Sequence, residues 1–358
     1  MTPVVLSLFL TLLTIARSTL ALSASPPPPP SRVFIGGLGY CGSRIARAFR
    51  DSYGSECTIA ATVRSSERRD ALLTSPPDWL NLDGGDAIHV LDMDDDYSGL
   101  SPDGVRDLEL ATHVVQTVAP IADFDRDPLL ALHGKVLKRS KHLQYIGYLS
   151  STGVYGDYGG EWVTEESEMR CVDAKSKARI EAEREWGQLE KPIGGVENPG
   201  TRADFFRCGG IYGPGRGPLF STVAKLDEAL VSGEEETLET PKYVNRILVD
   251  DICGAIVTAV SSYRPCYDGV GRCYNLVDDN PAPRRDVVSE ARRLLLPADT
   301  GNSPKSTGEG RGKRRITRNT GNKRCRNSRL KEDYGWECRA PTYKEGLALL
   351  LENGVLTI

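Results

Sequence analysis

The chain has 358 residues, of which 39% are hydrophobic and 26% charged, with a formal net charge of −4. That balance excludes wholesale disorder and a polyanion-binding bias of the whole molecule. Nine cysteines at wide spacing, no CxxC pair and only four histidines argue for free thiols, and against both a zinc site and histidine-based catalysis.

In chain order, Val4 to Ala16 is an uncharged apolar run, too short for a comfortable membrane span and suited to a signal-type core. Small residues follow at Ala21, Ser23 and Ala24, then a stiff spacer from Pro26 to Pro30. No acid occurs before Asp51. The expectation is a cleaved leader over residues 1–30, with a plastid favoured and the secretory pathway as the alternative, and no membrane contact in the mature protein.

The stretch Arg32 to Gly36 then reads as a short apolar strand, followed by Gly36-Gly37-Leu38-Gly39-Tyr40-Cys41-Gly42 and a helical pattern with Ile45, Ala46 and Phe49 on one face. Gly37, Gly39 and Gly42 satisfy GxGxxG in the strand–turn–helix context that motif requires. Such a turn needs torsions open to glycine, close backbone approach to a pyrophosphate, and N–H donors at a helix start. These seven residues are the predicted dinucleotide loop.

A second strand, Cys57 to Val63, ends at Arg64 where an NAD site usually carries an acid; Arg64 suits a 2′-phosphate, so NADP is expected, with NAD as the alternative. Further strands are predicted at Ala87–Leu91, Thr112–Val118 and Gln144–Leu149, with helical stretches between most of them. This alternation predicts an α/β fold, a Rossmann doubly wound parallel sheet, over residues 31–200. Residues 201–358 would add the remaining strands and a smaller C-terminal substrate-facing region. From Arg311 to Lys331 there are ten Lys/Arg and no acid. Lacking interleaved aromatics, this stretch is read as part of a solvated basic loop, 297–322, and not as a nucleic-acid site.

Four ordered segments resemble the extended short-chain dehydrogenase/reductase family, which includes the NAD-dependent epimerases and dehydratases. They are Ser150-Ser-Thr-Gly-Val-Tyr-Gly156, Arg207-Cys-Gly-Gly-Ile-Tyr-Gly-Pro-Gly-Arg216, Val244-Asn-Arg-Ile-Leu-Val-Asp-Asp-Ile252 (Leu248 where the family has His) and Tyr274-Asn-Leu-Val-Asp-Asp279. The resemblance implies that Gly37, Gly39 and Gly42 hold the cofactor pyrophosphate, Arg64 the adenosine ribose phosphate and Asp92 the adenine. Thr117 to Pro120, including Ala119, would pass near the nicotinamide ribose, and Tyr212 to Pro214 near the nicotinamide. Asn245, Arg246 and Asp250 would fix the substrate region, or cap a helix and pair internally. It also implies a small-molecule substrate, a nucleotide sugar among the candidates, and a homodimer.

That family's chemistry uses a Ser or Thr, a Tyr as acid/base, and a Lys four residues after the Tyr on one helix. Ser151, with Thr152 beside it, fits the hydroxyl. The helix Asp173 to Glu183 has no phenol: one register places Asp173 and Lys177 at the pair, another Lys175 and Arg179. Tyr155 and Tyr158 are the phenols at hand. The catalytic candidates are therefore Ser151, Thr152, Tyr155 and Lys177, with no metal. The sequence reading is an oxidoreductase or sugar-nucleotide epimerase/dehydratase-like enzyme with a degenerate Tyr-x-x-x-Lys site; the alternative is a non-catalytic NADP(H)-binding sensor or assembly protein.

Overall fold

The structure is a computed structural model that describes residues 29–93, 98–121, 126–192, 200–216, 242–262, 271–295 and 321–353. The predicted leader, apart from its last two residues, and all of the basic loop before Gly321 lie outside the described residues.

The apolar run that opens the folded region forms β1 (Arg32–Gly36), and the glycine loop leads into α1 (Tyr40–Tyr53). There follow β2 (Thr58–Val63), α2 (Ser66–Thr74), β3 (Ala87–Val90), α3 (Pro102–Glu109), β4 (His113–Gln116), α4 (Pro128–Arg139) and β5 (Tyr145–Ser151). The helices start where the sequence supplies caps: Ser65, Ser101 and Asp127 each accept a backbone N–H of the first turn. Helix α1 has Gly39 as its N-cap and no side-chain cap.

After β5 come β6 (Trp162–Val163), α5 (Ala174–Gly187), β7 (Arg202–Cys208), β8 (Gly210–Tyr212), β9 (Tyr243–Val244) and β10 (Arg246–Leu248). The chain continues through α6 (Val249–Ser261), β11 (Arg272–Leu276), β12 (Ala282–Pro283), α7 (Arg284–Leu295), β13 (Arg324–Cys325), α8 (Ser328–Tyr334) and α9 (Tyr343–Glu352). Seven strands make one sheet in the order β11-β7-β5-β4-β1-β2-β3, with every adjacent pair parallel. This is the doubly wound sheet expected from the alternating pattern. The strand order reverses between β1 and β4, and in such sheets the crevice beyond that switch point receives the ligand.

Alternate residues of each strand feed opposite faces. Val33 and Ile35 join Ile59, Ala61, Ile45 and Phe49 in a core that extends to Ile252 and Ile256 of α6. Phe34 points the other way, into Val114, Ile146, Leu129 and Trp186. Burying each such side chain contributes about 1.5–3 kcal/mol, so the continuous apolar strands are what fix the layering. A third core, with Tyr212, Leu248, Val288, Leu347 and Leu350, holds the C-terminal region together. Among the described residues no helix is long and apolar enough to cross a membrane.

Candidate functional site

At the end of β1 the backbone turns through Gly37 at φ +93°, a left-handed value that favours glycine. Gly37 N–H donates to Thr62 Oγ1 at 2.8 Å, and Leu38 N–H to the Thr62 carbonyl at 2.7 Å. Thr117 Oγ1 lies 2.9 and 2.8 Å from the carbonyl oxygens of Gly36 and Gly37, clamping the loop to the end of β4. A Cβ on Gly42 would stand 1.9 Å from the Gly37 carbonyl oxygen, so only glycine lets α1 start this close to the turn. A Cβ on Gly39 would meet nothing within 4 Å. Gly39 therefore borders open space, where the uncapped start of α1, without an acidic residue in its first turn, faces outward. Uncapped N–H groups and the positive end of the helix dipole make this an anion cradle.

Beside the cradle lies a cleft of about 530 Å³ across the C-terminal ends of β1, β2, β3 and β4. Val63, Leu91, Met93, Val118 and Ile121 give it an apolar floor, and Arg64 and Arg68 stand on its lip. Of the predicted cofactor residues, Gly37, Leu38, Gly39, Arg64 and Ala119 line this cleft. Gly36, Thr117, Tyr40, Cys41 and Gly42 shape the cradle from behind or continue it along α1. Gly36 is required by a neighbour distant in sequence: a Cβ there would lie 2.0 Å from Gln116 Oε1. Gln116 in turn donates to both oxygens of Asp127, at 2.9 and 2.8 Å. Burial pushes the Asp127 carboxyl up to about 6, against the pull of Gln116. The neighbours of Asp92, Leu91 and Met93, line the cleft, and the Asp92 carboxylate accepts from Ser98 at 3.1 Å.

Tyr212 is a correction. Its side chain is 3% exposed, packed in the C-terminal core, and its hydroxyl occupies the space left by the missing side chain of Gly346. The phenol points into protein and not towards the crevice, and burial raises its pKa.

The predicted catalytic residues separate into two groups. Ser151 ends β5, half-buried, with its Oγ accepting from Gly153 N–H at 3.1 Å. Thr152 is buried, its Oγ1 3.4 Å from the Cys208 carbonyl. Tyr155 is fully buried; its phenol donates to Asn275 Oδ1 at 2.8 Å and accepts from Arg207 at 3.0 Å. Burial pushes its pKa further above the ordinary tyrosine value, so here it is an element of the core and not an acid facing substrate. Tyr158 is also committed, donating to the Glu168 carbonyl at 2.8 Å beneath the Arg170 guanidinium. Lys177 is exposed on α5, and Asp173 is that helix's N-cap, accepting from Ser176 N–H at 2.9 Å. The Asp173/Lys177 register is therefore not the one presented to Ser151.

The register is set by a buried ion pair that sequence reasoning missed. Glu183 of α5 binds Arg207 of β7, with Nη2 to Oε2 at 2.7 Å and Nε to Oε1 at 3.1 Å, and accepts from Ser150 Oγ at 2.5 Å. One turn earlier, Arg179 donates to the Leu149 carbonyl at 3.1 Å. One turn earlier again, Ser176 is buried: a Cβ on Gly153 would meet Ser176 Oγ at 3.1 Å and Ser151 Oγ at 3.3 Å. Around Ser151 the helix thus presents a hydroxyl and a guanidinium.

The Asn-Arg-Asp-Asp segment works as a clasp. Asn245 donates to the Lys323 carbonyl at 3.1 Å and accepts from Cys325 N–H at 2.7 Å. Arg246 donates to the carbonyls of Val244 and Ala282. Asp251 receives the N–H groups of Arg339 and Ala340. Among the described residues no group of three His, Cys, Asp or Glu could hold a metal, and all eight cysteines are free.

Comparison with solved structures gives matches of the same fold over most of the chain. A functionally unknown conserved protein from Silicibacter pomeroyi DSS has 27% identity and a TM-score of 0.62, with 91% of this chain and all of that chain covered. UDP-glucuronic acid 4-epimerase from Bacillus cereus, in complex with UDP-glucuronic acid and NAD, has 14% identity and a TM-score of 0.58, covering 88% of this chain and 96% of that chain. ADP-L-glycero-D-manno-heptose-6-epimerase from Helicobacter pylori has 12% identity and a TM-score of 0.61, covering 92% and 98%. No protein-family model matches the sequence, and no curated protein matches it. The chain shares its fold with these nucleotide-sugar epimerases.

Proposed function

We propose that this chain is an oxidoreductase or epimerase/dehydratase-like enzyme that binds a nicotinamide dinucleotide, NADP in preference to NAD, and acts on a nucleotide sugar. The observation that carries the proposal is the cradle at Gly37–Gly42, where glycines fit a diphosphate on all sides: Gly37 by its torsion, Gly42 by its contact, Gly39 by its open face. The fit extends along the cleft, whose apolar floor suits an adenine and whose Arg64 and Arg68 suit a 2′-phosphate. The epimerase of like fold that holds UDP-glucuronic acid and NAD supports the substrate class.

When bound, the nicotinamide would supply hydride exchange. The α1 amides would hold the diphosphate. Ser151 would orient the reacting oxygen of the substrate, and Arg179 would add a positive charge where the family has a lysine. With Tyr155 buried, proton transfer falls to solvent or to the substrate's own groups. The non-catalytic NADP(H)-binding reading is favoured by that same burial. The leader suggests delivery to an organelle, a plastid first, which imaging of a fluorescent fusion would test. Assembly as a homodimer belongs to the same proposal.

Two outcomes test the reading. Arg64→Asp should weaken NADP by about tenfold or more while sparing NAD, because one charge-assisted contact to phosphate is worth about 1.5–3 kcal/mol; equal losses in titrations of both would remove Arg64 from the 2′-phosphate. Incubation with NADP and a panel of nucleotide sugars should give turnover that Ser151→Ala lowers about 100-fold, in the range of one lost catalytic donor. Turnover unaffected by that change would take Ser151 out of the reaction, and no turnover with tight NADP binding would select the non-catalytic reading.

A further inference from the structure

A second cationic cluster gathers at Tyr40, the first residue of α1. Two guanidiniums lie over the Tyr40 ring, Arg44 at 3.9 Å and Arg216 at 5.0 Å from its centroid. Arg44 is fully engaged as a brace: Nη1 donates to the Tyr40 carbonyl at 2.9 Å and Nη2 to the Pro214 carbonyl at 3.0 Å. It thereby ties the first turn of α1 to the turn Gly213–Arg216. That turn is closed by paired hydrogen bonds between Gly213 and Arg216, at 3.1 and 3.0 Å, and uses Gly215 at φ +74°. Its other fixed point is Gly213, where a Cβ would come within 2.7 Å of the Tyr40 hydroxyl. Tyr40 and the turn therefore interlock, and the turn's last residue, Arg216, is delivered exposed over the first residue of α1. Asp250, whose charge reaches Tyr40, pairs with Arg339 at 3.6 Å.

Arg216 thus adds a full positive charge to a helix start that has no capping side chain and no acid. The charge is felt by two buried thiols close by. Burial raises the Cys41 thiol pKa at the second position of α1, and Arg216 and Arg44 act against that rise. Burial raises the Cys208 thiol too, at the end of β7, with Arg179 and Arg216 opposing.

We propose that Arg216 is a diphosphate-binding residue, held by the Tyr40–Arg44 brace so that its guanidinium closes the α1 cradle over the diphosphate of the dinucleotide. This deepens the proposed function and rests on it. An exposed guanidinium stacked on an aromatic ring is ordered in advance, and its planar fork of donors matches phosphate oxygens. The site reads the diphosphate, and Arg216 is not one of the residues that line the cleft with Arg64.

The test is calorimetric titration of the full chain and of Arg216→Ala with NAD, ADP-ribose, 2′-AMP and UDP-glucuronic acid. NAD and ADP-ribose carry the diphosphate without a 2′-phosphate; 2′-AMP carries the reverse. The expected result is a loss of about tenfold for NAD and ADP-ribose, with 2′-AMP unchanged, a shallower salt dependence, partial recovery in Arg216→Lys and an unaltered melting temperature. Unchanged NAD and ADP-ribose affinity would overturn the proposal, as would an equal loss for 2′-AMP. A loss confined to UDP-glucuronic acid would overturn it in favour of the substrate's diphosphate. Failure of the unaltered chain to bind NAD, NADP or ADP-ribose at all would instead overturn the proposed function itself.

Discussion

Gly42→Ala is expected to remove dinucleotide binding, and to do so by moving the backbone. Its Cβ would lie 1.9 Å from the Gly37 carbonyl oxygen and 3.3 Å from Thr117 Oγ1. The carbonyl cannot swing aside cheaply, because Thr117 Oγ1 holds it at 2.8 Å and the adjoining Gly37 N–H is held by Thr62. Forcing one methyl into such a contact costs about 1–3 kcal/mol. Affinity should fall about 10- to 100-fold and the melting temperature by a few degrees. Gly39→Ala is the informative partner. Its backbone is extended, and its Cβ would touch nothing within 4 Å, so stability should be unchanged. The same methyl would stand where the diphosphate approaches, and binding should fall at least as far. If Gly39→Ala binds NADP as the parent does, the open face of Gly39 is not the diphosphate's place.

Loss of Glu183 should have the largest effect on stability. Glu183→Ala would leave the Arg207 guanidinium, 4% exposed, without its counter-charge, and Ser150 without its acceptor. Removing one member of a buried pair costs about 3–5 kcal/mol, mostly the desolvation of the ion left behind. A drop in melting temperature on the order of 10 °C is expected, and a shift under about 2 °C would show the pair to be dispensable. The loss should extend to the site, because Glu183 holds α5 against β7 through Arg207 and against β5 through Ser150, and so sets which residues face Ser151. Arg207 also donates to the Tyr155 phenol.

Local signals made the first half of the molecule legible. An apolar run, three glycines at fixed spacing and an amphipathic helix occupy about twenty consecutive residues, and their meaning depends on torsion and periodicity alone. The continuous apolar strands announced the parallel sheet for the same reason. What stayed hidden depends on contacts distant in the chain. Tyr155 looks available in its loop, yet its partners Arg207 and Asn275 are 52 and 120 residues away. The choice between Lys177 and Arg179 depends on Glu183 meeting Arg207. Tyr212 and Gly213 are adjacent, and strand geometry sends one side to the C-terminal core and the other to Tyr40.

The basic stretch shows the same limit from another side. It has no interleaved aromatics in sequence, but the fold supplies them. Arg324 lies 5.0 Å over Trp162 and 4.7 Å over Tyr243, and Arg326 lies 4.6 Å over Trp162. Pairing of β6 with β13 creates that arrangement, and no window of sequence contains both.

Calorimetric titration of NADP into the full-length chain tests the central claim most directly, with Gly39→Ala run alongside at matched folding. The account predicts saturable binding of one dinucleotide per chain, with NAD weaker and the glycine variant silent. Absence of heat from both NADP and NAD in the folded protein, or equal binding by Gly39→Ala, would contradict it.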